Sequence, residues 1–246
     1  MSFQINTLSK VLILNLLTLC LAAPVYAGAF SVTPVRIYMT PKDKAVAVTI
    51  NNEGDEELVM QADVYLWKQT PDGKDDLTLT EDLLLSPPII KLAGKSRQVV
   101  RLARLTPAQQ EQQLTYRMIV REIPEARPNK DKVQLQIALA FSMPVFITPP
   151  SAKSKLDCTV ERAAANAVNA ACKNTGSAYA QPLDFILTGE TGDQLASSNQ
   201  ASYILPTIQR NFDIKSADKP IPAGKAKLTV KLDDGSKQTF DVMLTE

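Results

Sequence analysis

The sequence predicts an all-β protein of two immunoglobulin-like β-sandwich domains, and three observations carry that expectation. Short apolar runs are separated by turn signals about every dozen residues, the spacing of a sandwich rather than of a helical protein. Seven main strands fall within residues 28–148, an immunoglobulin-like count. Residues 133–147, VQLQIALAFSMPVFI, open in strict alternation. Val133, Leu135, Ile137, Leu139 and Phe141 lie on one side, and Gln134, Gln136, Ala138, Ala140 and Ser142 on the other. Period two is the strand period, so five large apolar side chains share one face. Such a face fits an ordinary core strand. At a sheet edge it would also fit a strand offered to a partner, with a ladder of free backbone groups beside it.

The elements follow in order. Lys10 precedes an apolar run at 11–23, which ends at Val25-Tyr26-Ala27, with small residues three before and one before a cut after Ala27. Residues 1–27 therefore read as a secretory signal, too short and interrupted for a membrane span. Leu19 before Cys20 does not suit a lipoprotein cut. The mature protein is expected to be exported, without membrane insertion. Strands are expected at 30–39, 45–50, 58–67, 77–80, 96–103 and 114–123, with 86–90 extended around Pro87 and Pro88. The polar stretch 106–112 suits a helical turn, and 127–132 a solvated connection. Trp67 is assigned to the core, Gly54, Gly94 and Gly235 to turns, and Tyr116 to a strand corner.

Residues 28–148 form the first domain, 149–153 a stiff Pro-Pro hinge, and 154–246 a second, smaller β-sandwich. In the second, strands are expected at 156–162, 167–173, 183–187, 211–214, 227–232 and 239–245, the last two joined by the turn Asp233-Asp234-Gly235-Ser236. Once the signal is removed, Cys158 and Cys172 are the remaining cysteines. In an exported chain they suggest one disulfide, a local staple between neighbouring strands, with two free buried thiols as the alternative. Closing such a loop stabilises by about 3 kcal/mol in the chain-entropy model.

Composition removes several classes of function. Net charge is +1 with Lys and Arg spread along the chain, which argues against nucleic-acid binding. There is no histidine, hence no Ser-His triad, and the commonest metal ligand is missing. Neither a glycine-rich phosphate loop nor a calcium loop is present, so no catalytic residue, metal or cofactor is assigned.

Several motifs occur in an order that points further. They are Val32-Thr33-Pro34-Val35-Arg36-Ile37-Tyr38; Ser86-Pro87-Pro88-Ile89-Ile90-Lys91-Leu92-Ala93-Gly94 followed by Gln98-Val99-Val100-Arg101; and YRMIVREIP at 116–124. After these come Leu135-Gln136-Ile137-Ala138-Leu139, Tyr203-Ile204-Leu205-Pro206 and Pro222-Ala223-Gly224. Together they resemble the periplasmic chaperones of the chaperone–usher pilus pathway over nearly the whole mature chain. The resemblance implies two domains in a boomerang arrangement. It also implies binding of pilin subunits by donor-strand complementation, delivery to an outer-membrane usher, and no enzymatic activity or cofactor. Strand addition of this kind is a form of β-augmentation. Val133, Leu135, Ile137, Leu139 and Phe141 would be the knobs that fill the groove of an incomplete pilin. An exposed ridge of this kind also invites self-association when unloaded.

Typical members anchor the subunit's C-terminal carboxylate with the first-strand arginine and a lysine near the end of the donor strand. The matching position here is Pro144, so the anchor must differ, and this departure looks like the archaic branch. Arg36 is one candidate. Arg117 and Arg121 are others: if Tyr116, Met118 and Val120 face the core, strand parity turns both arginines out of it. A guanidinium there suits a forked pair with a carboxylate. Three rival readings are a pilus subunit or adhesin, an exported ligand-binding sandwich and an exported hydrolase. They are disfavoured by the full strand count, the sparse aromatics and the missing histidine, respectively.

Overall fold

The computed structural model describes residues 30–107, 111–124, 138–217 and 219–245. The expected signal at 1–27, the expected connection at 127–132 and the predicted knobs Val133, Leu135 and Ile137 lie outside the described residues. Every regular element described is a strand. No helix among the described residues is long and apolar enough to cross a membrane.

The first ten strands form two facing sheets. β1 (Phe30–Thr33), β3 (Ala45–Asn52), β8 (Arg97–Arg104) and β6 (Leu83–Ser86) make one, in the order β1-β3-β8-β6. The other runs β2 (Ile37–Met39), β10 (Ala140–Ile147), β9 (Leu114–Glu122), β4 (Leu58–Gln69) and β5 (Asp75–Leu79), and β7 (Ile89–Leu92) also pairs with β4. Alternate residues of each strand meet between them: Ile37, Ile50, Met60, Val100, Met118 and Val145 are wholly buried there.

Two segments expected to be single extended stretches are each divided between the sheets. Residues 30–39 give β1, antiparallel to β3, and β2, parallel to β10. Residues 86–90 give the end of β6, paired with β8, and the start of β7, paired with β4. In both the chain crosses at proline, Pro34 or Pro87-Pro88, which lacks the N–H a continuing ladder needs. Gly94 sits in the expected turn for a steric reason: a Cβ there would lie 2.1 Å from the Asp55 carbonyl oxygen.

The second domain is a single hydrogen-bonded series, β11 (Leu156–Ala164), β12 (Ala167–Asn174), β15 (Gln209–Lys215), β14 (Gln194–Asn199), β13 (Pro182–Gly189), β16 (Gly224–Leu232) and β17 (Lys237–Leu244). A single residue pair, Ser197 with Lys215, joins β14 to β15. The series thus folds over into two layers, with the rings of Phe185 and Phe212 tilted against each other 4.4 Å apart between them. Sequence reasoning missed β14 because in QLASSN only Ala196 is buried, which leaves no apolar alternation to read. Cys158 and Cys172 face each other across β11 and β12 and form the disulfide. Gly235, at φ 82°, completes the β16–β17 turn.

Candidate functional site

The site grows from the two ends of β10. Met143, Val145 and Ile147 of this strand are buried in the sandwich core. Leu139 and Phe141 continue the same parity but are 40% and 39% exposed. The core-facing side of β10 therefore runs out past the end of its own sandwich. Phe141 is not wholly free: its ring lies 4.9 Å from that of Phe30 on β1.

Among the described residues, the backbone of β10 is paired along its whole length on one side only. β9 pairs with all of it, from Ala140 opposite Arg121 to Ile147 opposite Leu114. β2, on the other side, pairs only with Val145, Phe146 and Ile147. The Glu122 N–H donates to the Leu139 carbonyl at 2.9 Å, and the Thr148 N–H donates to the Met39 carbonyl at 2.8 Å. Odd-numbered residues thus address β9 and even-numbered ones the β2 side. Ala140 and Ser142 direct N–H and C=O into a slot that no described strand fills. Pro144 faces the same way, which is why a proline is tolerated there. Because β2 runs parallel to β10 with Ile37 opposite Val145, Arg36 stands where this slot closes.

Arg117 flanks the same place from β9. Its register partner is Pro144, the position that the resemblance matches to a lysine. Tyr116, Met118 and Val120 face the core, so Arg117 and Arg121 do point outward. The Arg117 guanidinium lies over the Trp67 ring at 3.9 Å, and its side chain is 14% exposed. Burial depresses its pKa, an effect opposed by Asp75, whose carboxylate is 3.6 Å away. It stays charged at any ordinary pH. Arg36 donates from Nη1 to Asp233 Oδ2 at 2.7 Å. Both guanidiniums lie 5.6 Å from the Tyr203 ring centre, which brings them to one cleft. Arg121 does not join them. It lies roughly 13 Å further along β9, where it donates to the Tyr65 hydroxyl at 2.9 Å and pairs with Asp63 at 3.6 Å.

Trp67 is a core residue, as expected. It is buried on the outer face of its sheet, in a cluster with Phe146 and Leu205 beneath the second domain. Phe146 stacks 4.1 Å from Tyr179. Gln69 Nε2 donates to the Tyr203 carbonyl at 3.1 Å, and its Oε1 accepts from the Leu205 N–H at 2.9 Å. Gln113 bridges likewise: its N–H reaches the Ser177 carbonyl at 3.0 Å, and its Oε1 accepts from the Tyr179 N–H at 2.9 Å. Arg210 donates to the Gly73 carbonyl at 2.7 Å. The cleft is therefore held by a packed joint.

Residues 29–153, half of the chain, match the family described as the pili and flagellar-assembly chaperone, PapD N-terminal domain. The protein belongs to this chaperone family. Solved structures share the fold across both domains. A chain of the CsuC–CsuE chaperone–tip adhesion subunit pre-assembly complex, from the archaic Csu pili of Acinetobacter baumannii, matches with a TM-score of 0.62 at 19% identity. That match covers 89% of this chain and 100% of the other. The E. coli chaperone DraB matches at TM-score 0.53 and 21% identity, covering 89% and 97%. A chain of the Salmonella enterica SafA pilin–SafB chaperone complex matches at 0.56 and 13%, covering 90% and 99%. No curated protein sequence matches the chain.

Within the chaperone cleft, sequence reasoning missed Tyr203, Asp233, Tyr179 and Asp75. Tyr203 stood inside a family-like block and Asp233 inside a hairpin turn, but both act across the domain joint. Burial foremost raises the pKa of Tyr203 and of Tyr179, so both hydroxyls stay protonated donors. Tyr116 fulfils its corner role by donating to Asp82 at 3.2 Å.

Proposed function

We propose that this chaperone acts in the periplasm on pilin subunits by donor-strand complementation and passes them to an outer-membrane usher. The observation that carries this reading is the half-open β10. An added strand in the slot beside Ala140 and Ser142 would complete their backbone hydrogen bonds. The odd-numbered ridge, from Val133 to Phe141, would fill the apolar groove of an incomplete pilin sandwich. Each fully buried knob contributes about 1.5–3 kcal/mol before ordering costs. The slot closes against Arg36 and Arg117. A subunit strand running toward Pro144 would end there, and its terminal carboxylate would meet both guanidiniums. The Arg117 contact to Asp75 is longer than a hydrogen bond, which leaves its donors for a forked pair.

Arg36 and Arg117 together are thus the anchor, while Arg121 is engaged elsewhere. An anchor without the lysine, and a disulfide in the second domain, support membership of the archaic branch. Release needs no cofactor, since exchange for a better-fitting subunit strand supplies the free energy. The test is co-purification from periplasm with a co-expressed pilin subunit. The tagged wild type is expected to bring it down stoichiometrically, and Leu135→Asp/Ile137→Asp to stay folded without it. An unfolded double variant would make the ridge ordinary core and overturn the reading.

A further inference from the structure

Arg36, half of the proposed anchor, already holds a carboxylate. Asp233 projects from the β16–β17 turn of the second domain, and its Oδ2 accepts from Arg36 Nη1 at 2.7 Å and from the Tyr179 hydroxyl at 3.0 Å. The Tyr179 hydroxyl in turn meets that of Tyr38 at 3.0 Å. The two ends of the ion pair are not equally enclosed. The Asp233 side chain is 13% exposed, whereas Arg36 is 34% exposed and stands at the closed end of the open slot.

We propose that Asp233 is a built-in competitor for the subunit's carboxylate, neutralising Arg36 in the unloaded chaperone and weakening the anchor that a bound subunit can form. The inference rests on the anchoring role given above to Arg36. Leaving a half-buried guanidinium unpaired is unfavourable, and Asp233 removes that penalty when no subunit is present. A second carboxylate arriving at Arg36 meets a cation whose charge is already matched, so it gains less and faces repulsion from Asp233. The Tyr179 hydroxyl makes the exchange easier, because Asp233 keeps one donor when Arg36 turns to the newcomer. A weakened anchor suits a chaperone that must give its subunit up.

The probe is acetate, titrated into the exported protein at fixed ionic strength, with acetamide as the neutral control, while the side-chain Nε–H signals of Arg36 and Arg117 are followed by NMR. Asp233→Asn keeps the shape and an oxygen for Tyr179 but removes the charge. It is expected to lower the half-saturating acetate concentration about fivefold or more, the scale of one close like-charge term, with no response to acetamide in either protein. Tyr179→Phe leaves Asp233 dependent on Arg36 alone and is expected to weaken acetate binding. If acetate perturbs the wild type but Asp233→Asn binds it equally or more weakly, Asp233 is a positioning residue and the competitor proposal is overturned. If acetate perturbs neither arginine in either protein, the anchoring role itself fails and the proposal falls with it.

Discussion

Arg117 shows how much one side chain needs from its surroundings to be both charged and nearly enclosed. Its face rests on Trp67 and its edge points to the cleft, so the aromatic ring replaces part of the water it loses. Replacing it tests the anchor apart from the ridge. Arg117→Ala is expected to weaken subunit binding tenfold or more, and to lower folding stability by only about 1 kcal/mol. Arg117→Lys, which loses the fork, is expected to recover little of the binding. Titration calorimetry with the purified subunit and chemical denaturation would measure the two effects separately. Parity alone made the outward direction of Arg117 legible, because Tyr116, Met118 and Val120 announce the inward face. What covers that outward face was not legible. Trp67 alternates outward as well, and Tyr203 and Leu205 from the other domain pack against it together with Arg117 and Phe146.

Among the elements, β10 was the most legible, and it also shows the limit of period-two reasoning. Alternation gives a shared face for residues 133–147, but not where the protein's own core stops covering it. That boundary falls between Phe141 and Met143, where exposure gives way to full burial. The prolines carried a message that the apolar pattern hid. Pro34 and Pro87-Pro88 each pass the chain from one sheet to the other, so each apparently continuous run serves two sheets. The β11–β12 hairpin was read correctly from its cysteines, which pin two adjacent strands. It is remote from the slot, so Cys158→Ala/Cys172→Ala is expected to cost stability alone. Denaturant unfolding should show a loss of about 3 kcal/mol, with subunit binding unchanged once the protein is folded.

For the whole molecule, the joint between domains connects the fold to the function. The first domain supplies the slot, Arg36 and Arg117, while the second supplies Tyr203, Tyr179 and Asp233, so neither domain builds the cleft alone. Gln69 and Gln113 bond across the joint through both donor and acceptor atoms, which fixes the cleft without adding charge to it. Residues distant in sequence meet there, Arg36 and Asp233 being 197 positions apart, and no spacing rule brings such partners together. The central claim, that β10 lends its open edge, is tested most directly by amide hydrogen exchange at Ala140 and Ser142 with and without the co-expressed pilin. Rapid exchange in the unloaded chaperone and strong protection in the complex is the predicted result, with Phe141 and Met143, which address β9, changing little. Equal exchange at Ala140 and Ser142 in the two states, despite a stable complex, would contradict strand donation.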